Sequence, residues 1–131
     1  MNDLASRLKN IGEAGVYNIT CDLNELRKAA SVVNFSVFDA DLNNVHSKGE
    51  FLAAVAQAIA APTWLGKNWD ALADALGDMS WQPAQGYILV LRNGGETFNL
   101  SASDHEAARE IMQETVIFWK RQDKPFWIFY C

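Results

Sequence analysis

Residues 87–91 read Tyr-Ile-Leu-Val-Leu. Five consecutive apolar residues of strong β propensity, with no polar residue alternating among them, suit a strand covered on both faces, as in a parallel sheet. Phe126–Tyr130 (FWIFY) is a second run of the same kind. Between the two, Ser103 with Glu106 three residues later predicts a capped helix, carried on by Ala107, Ile111 and Val116–Trp119. Strand, helix, strand is the unit from which parallel sheets are built.

The same grammar extends toward the N-terminus. Asn68 opens a helix with Trp69, Leu72, Ala73 and Leu76 on its apolar stripe, and Gly77 ends it. Ser47 with Glu50 predicts a helix through Phe51, Leu52, Val55, Ala56 and Ile59, stopped by Pro62. Phe35–Leu42 (FSVFDADL) reads as a strand. Asp22 with Glu25 caps a helix through Leu23, Leu26, Ala29 and Ala30, ending near Val33. Val16–Cys21 (VYNITC) reads as a short strand. Before Gly15, the spacing of Leu4, Leu8 and Ile11 fits either a short helix or a loose arm. The order β-α-β-α-α-β-α-β predicts an α/β fold: a small, mostly parallel sheet of three strands plus an additional N-terminal strand, packed against helices. No repeat, low-complexity tract or linker divides residues 1–131, so the whole sequence reads as one domain.

Sixteen acidic against eleven basic residues give a formal net charge of −5. The densest basic cluster, Lys120, Arg121 and Lys124, is diluted by Asp123. Direct nucleic-acid binding is disfavoured, because it needs a basic face to neutralise phosphates. A basic protein partner is the better match. Five Trp, seven Phe and three Tyr supply ample apolar surface for a core and argue against disorder. Met1–Leu8 has no apolar run behind a basic start, and no stretch approaches the roughly 18 apolar residues of a membrane span. Cys21 and Cys131 are far apart and form no CxxC pair, which predicts neither a metal site nor a disulfide framework. Cys21, among Val16, Ile19 and Leu23, reads as a buried, inert thiol. The expectation is a cytoplasmic protein with reduced cysteines, monomeric when free.

Catalytic chemistry finds little support. No phosphate-binding, zinc-protease or nucleophile-elbow motif occurs. Gly94–Gly95 sits in a turn and opens no helix. His46 and His105 have no second ligand or nucleophile at a diagnostic spacing. Asp39 and Asp41 share one strand face, an arrangement that suits a cation but is more often merely solvated. The chain therefore reads as a binding protein, not an enzyme, with no cofactor.

One stretch costs the fold stability without an evident local return. In Pro62–Trp81 (PTWLGKNWDALADALGDMSW), Asp70, Asp74 and Asp78 fall at i, i+4 and i+8, a line on one helix face. Asp70 sits in the first turn, where the helix dipole favours a negative charge. Asp74 gains little from that and is repelled by its neighbours at about 0.2–0.5 kcal/mol per pair. Asp78 lies near the negative helix end. Such a strip is either a solvated face or a surface that meets cations on a partner, with Trp64 in the preceding turn as an aromatic anchor or a core residue.

Trp64–Leu76 (WLGKNWDALADAL) resembles the barstar family, the intracellular inhibitors of barnase-type ribonucleases, with weaker resemblance over 35–131. Residues 1–34 fall outside it as an N-terminal β-α extension. The resemblance implies a small parallel sheet packed on helices and an immunity-type inhibitor of a basic ribonuclease or ribonuclease toxin. In that reading Asp74 enters the enzyme's phosphate site and Asp70 is a second contacting carboxylate. Trp64 packs on the enzyme, Gly66 and Asn68 match the turn that keeps the backbone close to it, and Ala71 and Asp78 count among the partner-binding residues. Leu65, Lys67, Ala73, Ala75 and Lys120 depart from the best-known member of the family. Lys67 and Lys120 motivate a second expectation, a barstar-like interaction module whose partner is not a nuclease.

Overall fold

A computed structural model describes residues 3–20, 22–62 and 68–131. Among them run α1 (Asp3–Leu8), β1 (Val16–Asn18), α2 (Leu23–Val33), β2 (Phe35–Asp41), α3 (Lys48–Ala58), α4 (Trp69–Leu76), β3 (Gly86–Arg92), α5 (Ala102–Arg121) and β4 (Phe126–Tyr130). The segment before β1 resolves to a helix followed by a 3₁₀ turn at Ile11–Glu13.

The four strands form one sheet in the order β1-β4-β3-β2, and every pairing is parallel. The two apolar runs, β3 and β4, are the central strands. Their side chains alternate between two cores. Tyr87, Leu89, Leu91, Phe126 and Ile128 pack with α3, α4 and α5, whereas Ile88, Val90, Trp127 and Phe129 pack with α1 and α2. A strand buried on both faces has no place for polar alternation, which is why these runs are continuous. Residues 3–20 and 22–34 thus supply an edge strand and the whole helical layer on the second face. Trp127 ties that layer down: its indole N–H donates to the Leu8 carbonyl at 3.0 Å.

Three helix starts follow the expected capping chemistry. Asp22, Ser47 and Asn68 accept from the backbone N–H of Glu25, Glu50 and Ala71. The last helix corrects the expectation. Ser101, not Ser103, is its cap and accepts from Asp104 N–H at 3.3 Å, so the helix starts two residues earlier than Ser103 predicts. The left-handed Phe98 and Asn99 turn the chain so that Ser101 arrives in the extended conformation a cap requires. At the opposite edge, Gly86 pairs with Phe35, and a Cβ on Gly86 would lie 2.6 Å from the Phe35 ring. Glycine is what lets that ring lie over the strand.

The cysteine expectation is overturned. Cys131 is disulfide-bonded, and no described cysteine is free. The other cysteine of the chain, Cys21, and the expectation of a buried thiol there lie outside the described residues. Sequence spacing misled because two cysteines distant in sequence carry no signal of proximity, whereas β1, which precedes Cys21, lies beside β4, which precedes Cys131. Among the described residues no helix is long and apolar enough to cross a membrane.

Candidate functional site

The acidic helix, α4, is short, and its position is set from both ends. At its start, Asn68 is extended (φ −142°, ψ 168°) and its side-chain oxygen accepts the Ala71 N–H at 2.7 Å. Leu72, Ala75 and Leu76 are buried in the larger core. Trp69 packs against that core with its ring 5.9 Å from Phe51, and the Lys48 ammonium lies 5.7 Å from the Trp69 ring. At its end, Gly77 N–H bonds Ala73 O and Met79 N–H bonds Ala75 O. The Leu76 carbonyl accepts from the indole of Trp119 on α5 at 2.8 Å.

With the inner face fixed, the remaining positions face outward. Asn68, Asp70 and Asp74 are exposed, and Ala71 and Ala73 are half-buried. Neither Asp70 nor Asp74 forms an ion pair or side-chain hydrogen bond among the described residues. Asp78 is exposed as well, but it stands beyond the helix. α4 ends at Leu76, and the Asp78 N–H bonds Ala75 O in the turn that follows. The three-aspartate helical line is therefore two aspartates on the helix and one past it. Trp64 and Gly66 lie outside the described residues.

Sequence reasoning missed the other wall of this surface. Ala73, Asp74 and Gly77 of the α4 region face Ile111, Glu114 and Phe118 of α5 across a groove of about 390 Å³. Phe118 is 41% exposed, and its neighbour Ile117 is 48% exposed. The apolar run Val116–Trp119 hid this, because only Val116 and Trp119 of the four turn into the core.

The remaining sequence candidates have structural occupations. Asp39 takes a two-pronged bond from Arg92, Nε at 2.6 Å and Nη2 at 3.0 Å. Asp41 accepts from the Asn93 amide at 2.9 Å and from Asn43 N–H at 3.0 Å. These bonds and Arg92 hold the Asp41 carboxyl below the usual carboxylate range. Both carboxylates are thus engaged within the fold. No cluster of His, Cys, Asp and Glu suited to a metal occurs among the described residues. His46 is exposed ahead of α3, and His105 packs edge-on against Phe98 at 5.1 Å.

What the arrangement offers chemically is a helix held at both ends, presenting carboxylates unpaired among the described residues. The model of the family Barstar (barnase inhibitor) matches residues 35–131. None of the curated proteins compared with the chain matches it.

Proposed function

The chain belongs to the barstar family, and on that premise we propose that it inhibits a barnase-type ribonuclease by laying α4 and the residues before it over the enzyme's active site. Proteins of the family are inhibitors, not enzymes, and membership implies a barnase-like ribonuclease as the partner. The observation that carries the mechanism is the state of Asp70 and Asp74: exposed, unpaired among the described residues, and mounted on a helix whose other face is core.

A ribonuclease active site is built to hold phosphate. A carboxylate delivered there takes the place of a phosphate oxygen pair and receives charge-assisted hydrogen bonds from arginine and histidine. Asp74 is the central mimic and Asp70 the second contact. Trp64 and Gly66 are further contacts in this reading, and Asn68 and Ala71 hold the start of α4. Asp78, beyond the helix end, adds to the field that steers a basic enzyme inward. Because α4 is fixed before binding, little ordering entropy is lost on association. The proposed setting is the cytoplasm, where the Cys131 disulfide would face a reducing pool.

The test is a titration of the protein into an RNA-cleavage assay of a basic barnase-type ribonuclease. Cleavage falls to zero near one equivalent if the proposal holds. Full cleavage in excess protein rejects it, and recovery of only non-nucleolytic partners in a pull-down would favour an interaction module of another kind.

A further inference from the structure

A pocket of about 260 Å³ lies on the sheet face opposite α4, between α1, β1 and the start of α2. Apart from Trp127 and Phe129, its described lining residues all precede residue 35, so the segment outside the family match builds it. Leu8, Leu26, Trp127 and Phe129 form a buried floor, with Tyr17 beside them. The three aromatic rings make one patch: the Tyr17 centroid is 5.8 Å from Trp127 and 6.3 Å from Phe129, and the latter two are 5.8 Å apart. Their polar atoms are already satisfied. The Trp127 indole donates to the Leu8 carbonyl, and the Tyr17 hydroxyl donates to the Glu13 carbonyl. The floor therefore offers apolar surface and asks for no hydrogen bond.

The rim is charged. Asp22 and Glu25 come from the start of α2, and Arg7 comes from α1. Arg7 is engaged, its Nε 3.9 Å from the Glu13 carboxylate. Asp22 has no ion pair among the described residues, and only one of its oxygens is used, accepting the Glu25 N–H at 3.2 Å. Glu25 lies 3.9 Å from Lys28, with both side chains more than half exposed. The site also has a place in the topology. β1 ends at Asn18, and Ile19, Thr20 and Asp22 carry the rim beyond that end. The crossover leaving β1 covers one face of the sheet, and those leaving β2 and β3 cover the other. Ligands of parallel sheets settle beyond the carboxyl ends of strands, where the connections change direction.

We propose that this pocket binds a small primary amine with an apolar body, the body on the aromatic floor and the ammonium at Asp22 and Glu25. The proposal goes beyond ribonuclease inhibition and uses no residue of α4. Volume limits the occupant: the cavity falls just below the range of about 300–1,000 Å³ that suits drug-sized ligands. Charge selects it. A helix start favours an anion, but Asp22 already occupies that position. A neutral body would gain the floor and leave the rim carboxylates without a partner. An ammonium gains the same floor and adds charge-assisted hydrogen bonds.

The experiment titrates phenethylamine into the ¹⁵N-labelled full chain, with 2-phenylethanol and 3-phenylpropionate as neutral and anionic comparisons. The amine should shift the amides of Tyr17, Ile19, Asp22 and Phe129 and the indole N–H of Trp127, and should saturate at lower concentration than either comparison. Asp22→Asn keeps an acceptor at the cap while removing the charge, and Glu25→Gln removes the second charge. Each should weaken the amine about two- to fivefold, the range of an exposed ion pair, and leave 2-phenylethanol unchanged. Both positions are exposed, so the unfolding midpoint should hold.

Absent shifts, or shifts elsewhere, overturn the proposal. Equal saturation by 2-phenylethanol, or equal amine binding by Asp22→Asn and Glu25→Gln, shows that the carboxylates do not select the ligand and overturns it as well. Tighter binding of 3-phenylpropionate would give the rim to Arg7 and reverse the assignment. Shifts of the same amides with protein concentration alone would assign the pocket to a second copy and overturn the amine.

Discussion

The indole N–H of Trp119 donates to the main-chain carbonyl of Leu76 at 2.8 Å. Leu76 is the last residue of α4, where carbonyls have no partner within the helix. A side chain 43 positions away satisfies one of them and clamps the acidic helix to α5. Trp119→Phe keeps the aromatic packing and leaves that carbonyl buried and unpaired. The expected cost is about 1–3 kcal/mol, read as a lower urea midpoint with an unchanged slope. Ribonuclease inhibition should weaken with it. A wild-type midpoint would show that the bond does not position α4.

Asp74 and Asp78 are both exposed, yet only Asp74 is on the helix. Asp74→Ala should weaken the ribonuclease complex by about 2 kcal/mol or more, a threshold that acidic hot spots, the barnase–barstar pair among them, commonly exceed. Stability should hold or rise slightly, since a like-charge neighbour is removed. Asp78→Ala should act mainly by slowing association, with an effect that fades at high salt. Calorimetry and stopped-flow association measure the contrast. Equal losses at both positions would remove the special role of Asp74.

Asn68 caps α4 by accepting the Ala71 N–H at 2.7 Å. Asn68→Ala should cost about 1 kcal/mol of stability, and Asn68→Asp, which retains an acceptor at the cap, much less. The alanine variant should also bind more weakly, because the first turn carrying Asp70 frays. Thermal unfolding of the two variants side by side is the check, and equal midpoints would exclude a capping role.

Tyr130 predicts behaviour at alkaline pH. Its hydroxyl is buried with no hydrogen-bond partner among the described residues, and burial pushes its pKa up to about 12. In the unfolded chain tyrosine ionises near pH 10. Between those values the unfolded state sheds the proton first, so stability falls as pH rises. Tyr130→Phe should be neutral or stabilising at pH 7 and should lessen the alkaline decline. Tyr87, raised in the same direction by burial, keeps part of that decline. A clear loss of stability at pH 7 would mean that the hydroxyl has a partner.

The paired strands β3 and β4 were legible because burial on both faces erases polar alternation, a property of composition. The helix starts at Asp22, Ser47 and Asn68 were legible because a cap is satisfied within three residues. Ser103 was misread for Ser101 because two serines two apart offer the same chemistry, and only the path from Phe98 and Asn99 decides between them. The acidic face of α4 was visible from spacing, though Asp78 fell beyond a helix end that spacing had not limited.

By itself, then, the sequence determined what is local: element types, most caps, and a helix with an acidic outer face. Tertiary structure decided what depends on residues distant in the chain. It paired Trp119 with Leu76, engaged Asp39 with Arg92, brought Cys131 into a disulfide, and set Phe118 and Glu114 opposite Asp74. Periodicity reports which way a side chain points along its own element. Only packing of one element on another determines what it meets.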